Sequence, residues 1–178
     1  MSGGPPETFD PWMLARTQGR LRGSVAMAAM PRLASLLLDD GGAATFDLCG
    51  ETDAEDRACL TGLASARIRL TCQRCLQPLE LELEVNFDLV PVTCTDEAKT
   101  LPADCEPLMV SLQGRVKVSD IVEDELILGL PLVAHHQDGG CASQLAGRDD
   151  SDSRDTSRQR PFADLAEILA RNNGKSKE

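Results

Sequence analysis

Between Leu79 and Leu89 the chain alternates without a break. Leu79, Leu81, Leu83, Val85, Phe87 and Leu89 fall on one side, and Glu80, Glu82, Glu84, Asn86 and Asp88 on the other. A period of two belongs to a β-strand, because successive side chains point to opposite faces of the pleat. A helix would scatter the same apolar residues around its whole circumference. The strand therefore has one buried face and one solvated, acidic face, as expected of an antiparallel sheet covered on one side. The segment Ala64 to Thr71 alternates in the same way, with Ala66, Ile68 and Leu70 against Ser65, Arg67, Arg69 and Thr71. Paired as a hairpin, the two strands set Arg67 and Arg69 opposite Glu80, Glu82 and Glu84. Exposed cross-strand pairs of this kind contribute only about 0.2–1 kcal/mol each, so they help set pairing more than they hold the fold.

Shorter patterns flank this hairpin. Residues 1–15 are rich in Gly and Pro and then irregular, which predicts a flexible N-terminal segment. Gly19 to Met27 alternates loosely and reads as a strand. Pro31 is placed to open a short helix reaching Leu38. Asp39-Asp40-Gly41-Gly42 reads as a turn, and Thr45 to Leu48 as another strand. Val92 to Leu108 reads as a loop, followed by short strands at Leu108–Leu112 and Arg115–Val118 around Gly114. Ser119 then fits a helix N-cap, with Asp120 and Glu123 in the first turn, where carboxylates suit the helix dipole. That helix is expected to run to about Leu130 and to stop before Pro131. Gly147 to Gln159 contains no apolar residue, which predicts a disordered linker at 147–160. Pro161 opens an amphipathic helix over 161–172, with Phe162, Leu165, Ile168 and Leu169 on one side, and 173–178 is a fraying tail. The expectation is one α+β domain over 16–146. It is built on an antiparallel sheet, open or closed into a barrel, with a few short helices and a tethered C-terminal helix.

Composition limits the function. A 42% hydrophobic fraction over 178 residues suffices for a core, but aromatics are only 3%. The core must be aliphatic, and stacking platforms for single-stranded RNA are not expected. The net charge of −11, with no large basic cluster, favours a protein partner or a very local RNA contact over general nucleic-acid binding. The sequence starts without a basic and apolar leader, and no apolar run approaches the ~18 residues of a membrane span. A cytoplasmic protein with reduced thiols follows, with no membrane association expected. There is no glycine-rich phosphate loop, no G-x-S-x-G and no H-E-x-x-H. With two histidines in all, acid–base chemistry has few candidates, and neither an enzyme nor a small-molecule substrate is expected.

The chemistry that remains is soft-ligand chemistry. Cys72-Gln73-Arg74-Cys75 occupies the tip of the expected hairpin, and His136 and Cys141 follow far downstream. Two such pairs supply a Cys₃His set for one structural zinc ion. His135 competes with His136 as a ligand, and the gap between His136 and Cys141 is longer than usual. Two other readings stay open: side chains that bind no metal, and a redox dithiol of Cys72 and Cys75. The redox dithiol is disfavoured because active pairs usually sit at a helix N-terminus, whereas this one sits between strands. Cys49, Cys59, Cys94 and Cys105 have no ligand-like spacing and read as ordinary small side chains. Candidate contact residues are Arg74, projecting from the hairpin tip, the central-helix acids Glu123, Asp124 and Glu125, and Phe162 and Leu165 of the C-terminal helix. Glu125 falls among apolar residues, near Ile121 and Leu128. A carboxylate there needs an arginine or amide partner, within the fold or from another protein.

The order of these features resembles a known family. Cys72-Gln73-Arg74-Cys75-Leu76 is followed by Val122-Glu123-Asp124-Glu125-Leu126-Ile127-Leu128-Gly129-Leu130-Pro131-Leu132-Val133. His136 and Cys141 come next, and then Arg160-Pro161-Phe162-Ala163-Asp164-Leu165. This resembles the bacterial YceD family of large ribosomal RNA subunit accumulation proteins, with Arg160 where the family typically has Asn. The N-terminal third matches only loosely. The resemblance implies a role in accumulating large-subunit ribosomal RNA, hence in 50S assembly or 23S precursor processing, and it brings no established catalytic activity. The partner expected is a ribosome assembly factor or ribosomal protein. The alternative is a zinc knuckle that binds the 23S rRNA precursor directly.

Overall fold

The alternation around Leu83 becomes a strand of 15 residues, Pro78–Val92. The protein, described here by a computed structural model over residues 6–102, 105–111, 114–137 and 141, has its elements in a simple order. They are β1 (Thr8–Phe9), α1 (Pro11–Arg16), β2 (Arg20–Ala26), α2 (Pro31–Ala34), β3 (Ala43–Thr52), β4 (Ala58–Thr71), β5 (Pro78–Val92), α3 (Thr95–Thr100), β6 (Glu106–Met109), β7 (Val116–Lys117) and α4 (Val118–Leu128).

Five strands form one sheet in the order β2-β3-β4-β5-β6, and β1 pairs with β7 in a separate two-stranded ladder. Neighbours in the large sheet are antiparallel except β5 and β6, which are parallel. A parallel neighbour needs a crossover, and α3 lies within that connection. Among the described residues the sheet is open, with β2 and β6 at its edges, so of the two expected forms the barrel is not the one adopted. Arg67 faces Glu82 and Arg69 faces Glu80 in the β4–β5 register. Arg67 pairs with Glu82, whereas Arg69 turns away from Glu80 to Asp39, at 2.8 Å.

One face of the sheet is the core. Leu60, Ala64, Ala66, Ile68 and Leu70 of β4 and Leu83, Phe87 and Leu89 of β5 are buried, together with Phe46 and Leu48 of β3. Helix α4 packs here through Val118, Ile121, Val122 and Leu126, and Leu33 of α2 joins the same cluster. Gly50 of β3 lets α1 lie directly on the strand, because a Cβ there would fall within the backbone of Leu14 and Ala15.

Three local expectations give way. The segment expected to be irregular up to residue 15 carries β1 and most of α1. Helix α1 is fixed by Pro11 at its first turn and by Asp10, whose Oδ1 accepts the Met13 N–H at 3.0 Å. The span Val92–Leu108 is not all loop, since it holds α3 and most of β6. Ser119 is not an N-cap: α4 begins one residue earlier, with Lys117 at the cap and no side-chain cap. Pairing of β7 with β1 carries the extended chain to this point, and the Glu7 carbonyl accepts the Val118 N–H at 3.1 Å. A backbone acceptor thus takes a helix-terminal donor that a side chain would otherwise satisfy. The expected domain limit at 146, the linker at 147–160, the helix at 161–172 and the tail at 173–178 lie outside the described residues.

Candidate metal centre

The β4–β5 hairpin ends in a tight turn. The Cys72 N–H donates to the Gln77 carbonyl at 2.9 Å, and the Leu76 N–H donates to the Cys72 carbonyl at 2.8 Å. Leu76 takes the left-handed conformation, φ 62°, which is costly for a residue with a Cβ. This turn folds Cys75 back beside Cys72.

The second half of the site arrives after α4. The helix stops at Leu128, with Gly129 as its C-cap, and the chain then passes the hairpin tip. There the Gln73 N–H donates to the Ala134 carbonyl at 2.8 Å. This bond anchors the downstream segment, and His136 and Cys141 close on the two cysteines. Cys72 Sγ lies 3.5 Å from Cys141 Sγ. His136 Nδ1 lies 3.4 Å from Cys75 Sγ and 3.5 Å from Cys141 Sγ. All four donor atoms lie within 4.8 Å of one another. A tetrahedral zinc ion with Zn–S bonds of about 2.3 Å sets its sulfurs roughly 3.8 Å apart, so the donors stand close to the spacing such an ion requires.

The surroundings prepare these groups as ligands. His136 Nε2 lies 3.0 Å from the Pro78 carbonyl oxygen. A carbonyl only accepts, so Nε2 carries the proton and Nδ1 offers its lone pair to the centre of the cluster. Outer hydrogen bonds of this kind orient metal-ligating histidines. His135 is exposed, with its Nδ1 beside the His136 carbonyl at 3.2 Å, and it lies outside the cluster. Burial opposes ionisation of Cys72, but the backbone N–H groups of Cys75, His136 and Arg74, together with the Cys75 thiol, outweigh it and bring Cys72 down to about 5. Burial, then the neighbouring Cys72 and Cys75, push Cys141 up. Thiolate is the form that binds metal, and Cys72 is poised as one. The residues present fit a structural zinc ion in donor set, spacing and tautomer.

The remaining candidates divide. Arg74 is exposed at the hairpin tip. Glu123 faces inward at 4% exposure. Its Oε1 accepts the backbone N–H groups of Arg32 (2.6 Å) and Leu33 (3.1 Å), and its Oε2 accepts the Arg32 guanidinium (2.9 Å). Glu123 thus ties α2 to α4. Asp124 is half exposed and bonds the same guanidinium at 2.6 Å. Glu125 is 5% exposed, and burial, then Glu106 and Asp124, raise its carboxyl to about 7. Phe162 and Leu165 lie outside the described residues. Arg32, the Pro78 and Ala134 carbonyls and Glu106 all shape these sites and were not expected from sequence. A backbone carbonyl leaves no mark in a sequence, and nothing in the Pro31-Arg32 pattern points to α4.

The family model for "Large ribosomal RNA subunit accumulation protein YceD" matches residues 60–169, a span that includes both halves of the Cys/His cluster. The chain is also similar to the large ribosomal RNA subunit accumulation protein YceD of Haemophilus influenzae. The two are 33% identical over 136 residues, which is 76% of this chain and 78% of that protein. No solved structure matches. On both counts the chain belongs to the YceD family.

Proposed function

We propose that this protein is a non-catalytic, cytoplasmic factor that promotes accumulation of large-subunit ribosomal RNA, acting through a protein partner in 50S assembly or 23S precursor processing. The single observation that carries this reading is the family match across residues 60–169. The net charge of −11 supports action through a protein, because such a chain is repelled by a phosphate backbone. Among the described residues no helix is long and apolar enough to cross a membrane.

In this reading zinc at Cys72, Cys75, His136 and Cys141 has a structural role. It joins the hairpin tip to the segment after α4 and closes a long loop, and binding free energy becomes folding free energy. A thiol oxidoreductase is less well supported. Its attacking sulfur needs access, and of the Cys72 and Cys75 pair Cys72 is 0% exposed and Cys75 half-buried. Direct RNA binding retains one favourable observation, the exposed Arg74 beside the metal centre.

Depletion of the protein in its own organism tests the main reading. Large-subunit rRNA and the ratio of large to small subunits should fall, and unchanged levels would refute it. Replacing Arg74 with Ala separates the routes. Direct binding predicts lost affinity for the rRNA precursor and a steep salt dependence, while a partner-mediated role predicts neither.

A further inference from the structure

Among the described residues Glu125 is a buried acid without a counter-charge. It lies on α4 between Ile121 and Leu128, and among the described residues no side-chain donor or cation reaches its carboxylate. It lines a cleft of about 240 Å³ between α4 and β6, with Leu108 and Leu128 among the walls. Leu128 is 68% exposed at its edge. Glu106 and Asp124 line the same cleft and add negative charge. Among the described residues the one cation there, Arg32, is already engaged by Glu123 and Asp124.

This cleft is smaller than the pockets that enclose drug-sized ligands. Its dimensions suit one long side chain, with apolar walls for a methylene stem and carboxylates for a charged head. A planar guanidinium fork matches carboxylates better than an ammonium does. Phosphate is excluded by the sign of the charge. The donor atoms close enough to hold a metal ion, among the described residues, are those of the Cys/His centre and not these acids.

We propose that the cleft at Glu125 is a socket for an arginine side chain of a partner protein, presented beside aliphatic residues that cover Leu128. The proposal rests on the partner-mediated reading above and names the chemistry of the contact. Burial and the neighbouring acids hold Glu125 protonated to about pH 7, and an incoming guanidinium supplies the missing charge and draws the proton off.

The test uses the purified full-length chain and two short capped peptides. One carries a single arginine flanked by leucines, and the other has neutral citrulline in its place. Calorimetry near pH 7.5 should show the arginine peptide binding about tenfold more tightly, as expected of one charge-assisted contact. Glu125→Gln should erase that preference, and Glu80→Gln, on the solvated face of β5, should keep it. Carboxyl NMR of the unaltered protein should show Glu125 titrating at lower pH once the arginine peptide is bound, which covers the case of a variant that folds poorly. Equal affinity for the two peptides, a preference that survives Glu125→Gln, an unmoved Glu125 titration or no binding would overturn the proposal. None of these results bears on rRNA levels after depletion, so the two readings fail separately.

Discussion

Cys72 and Cys141 are 69 positions apart in the chain, and their sulfurs lie 3.5 Å from each other. Neither belongs to an element that would force the meeting. Cys72 follows β4, and Cys141 lies beyond the end of α4. What brings them together is a pair of backbone carbonyls: that of Ala134 accepts the Gln73 N–H, and that of Pro78 accepts the His136 Nε2–H. The cluster is thus the point where the sheet and the chain leaving α4 are fastened together.

The first prediction concerns stoichiometry. Tag-free protein should contain about one zinc per chain, measured by elemental analysis. Cys72→Ser and Cys141→Ser should each lose it, although they come from opposite ends of the site. Cys49→Ser, outside the cluster, should retain it. Metal kept in either of the first two variants would break the single-site description.

The four side chains that cluster were legible in the sequence because cysteine pairs and histidine are few and chemically distinctive, and their spacing survives whatever the fold does between them. The choice between His135 and His136 was not legible. It depends on which imidazole can reach the Pro78 carbonyl, a backbone atom with no sequence signature. The β4–β5 hairpin was readable for a different reason, since a period of two over many residues has no helical alternative. Helix α1 and strand β1 were missed because their stabilising contacts are remote. One lies on Gly50 and the other on β7. Ser119 was misplaced because a good capping residue lost to a backbone acceptor, the Glu7 carbonyl. The inward orientation of Glu123 needed knowledge that α2 packs against α4.

Removing metal should loosen the protein locally before it unfolds globally. Hydrogen exchange on chelated and zinc-loaded protein should show faster exchange at the Gln73 and Leu76 amides, which hold the hairpin tip. Amides in the middle of β4, such as Ala66, should be little changed. Stability is distributed in this way when one crosslink holds a loop and an apolar core holds a sheet. Uniform acceleration through β4 would show that zinc instead supports the whole domain.

Glu123 should prove the costliest acid to remove. Its oxygens accept two backbone N–H groups of α2 and the Arg32 guanidinium. Glu123→Ala leaves those donors without partners at a nearly buried position, a loss of about 3 kcal/mol. Asp124→Asn, at a carboxylate 52% exposed, should cost less than about 1 kcal/mol. Urea unfolding midpoints of the two variants provide the check, and equal losses would mean that the buried pair contributes no more than the surface one.

Glu125 should write its own signature into the pH dependence of stability. Its carboxyl is raised from the ordinary value of 4.5 to about 7 in the folded chain. Below the ordinary value the group is protonated in both the folded and the unfolded states, and folding carries no penalty from its charge. Between about 4.5 and 7 the unfolded chain releases the proton while the folded chain keeps it, so stability falls as pH rises. Above about 7 the folded protein must ionise a buried acid beside Glu106 and Asp124, and the full penalty, on the order of 3 kcal/mol, is present. Glu125→Gln is neutral at every pH and should lose this slope. Relative to the unaltered protein, it should gain stability steadily between pH 5 and pH 8 in urea titrations. Among the described residues the Arg32 guanidinium is the one positive group lining the same cleft, and its commitment to Glu123 and Asp124 leaves the slope in place. A stability difference between the two proteins that stays constant with pH would mean that Glu125 ionises in the folded state as an ordinary surface acid does.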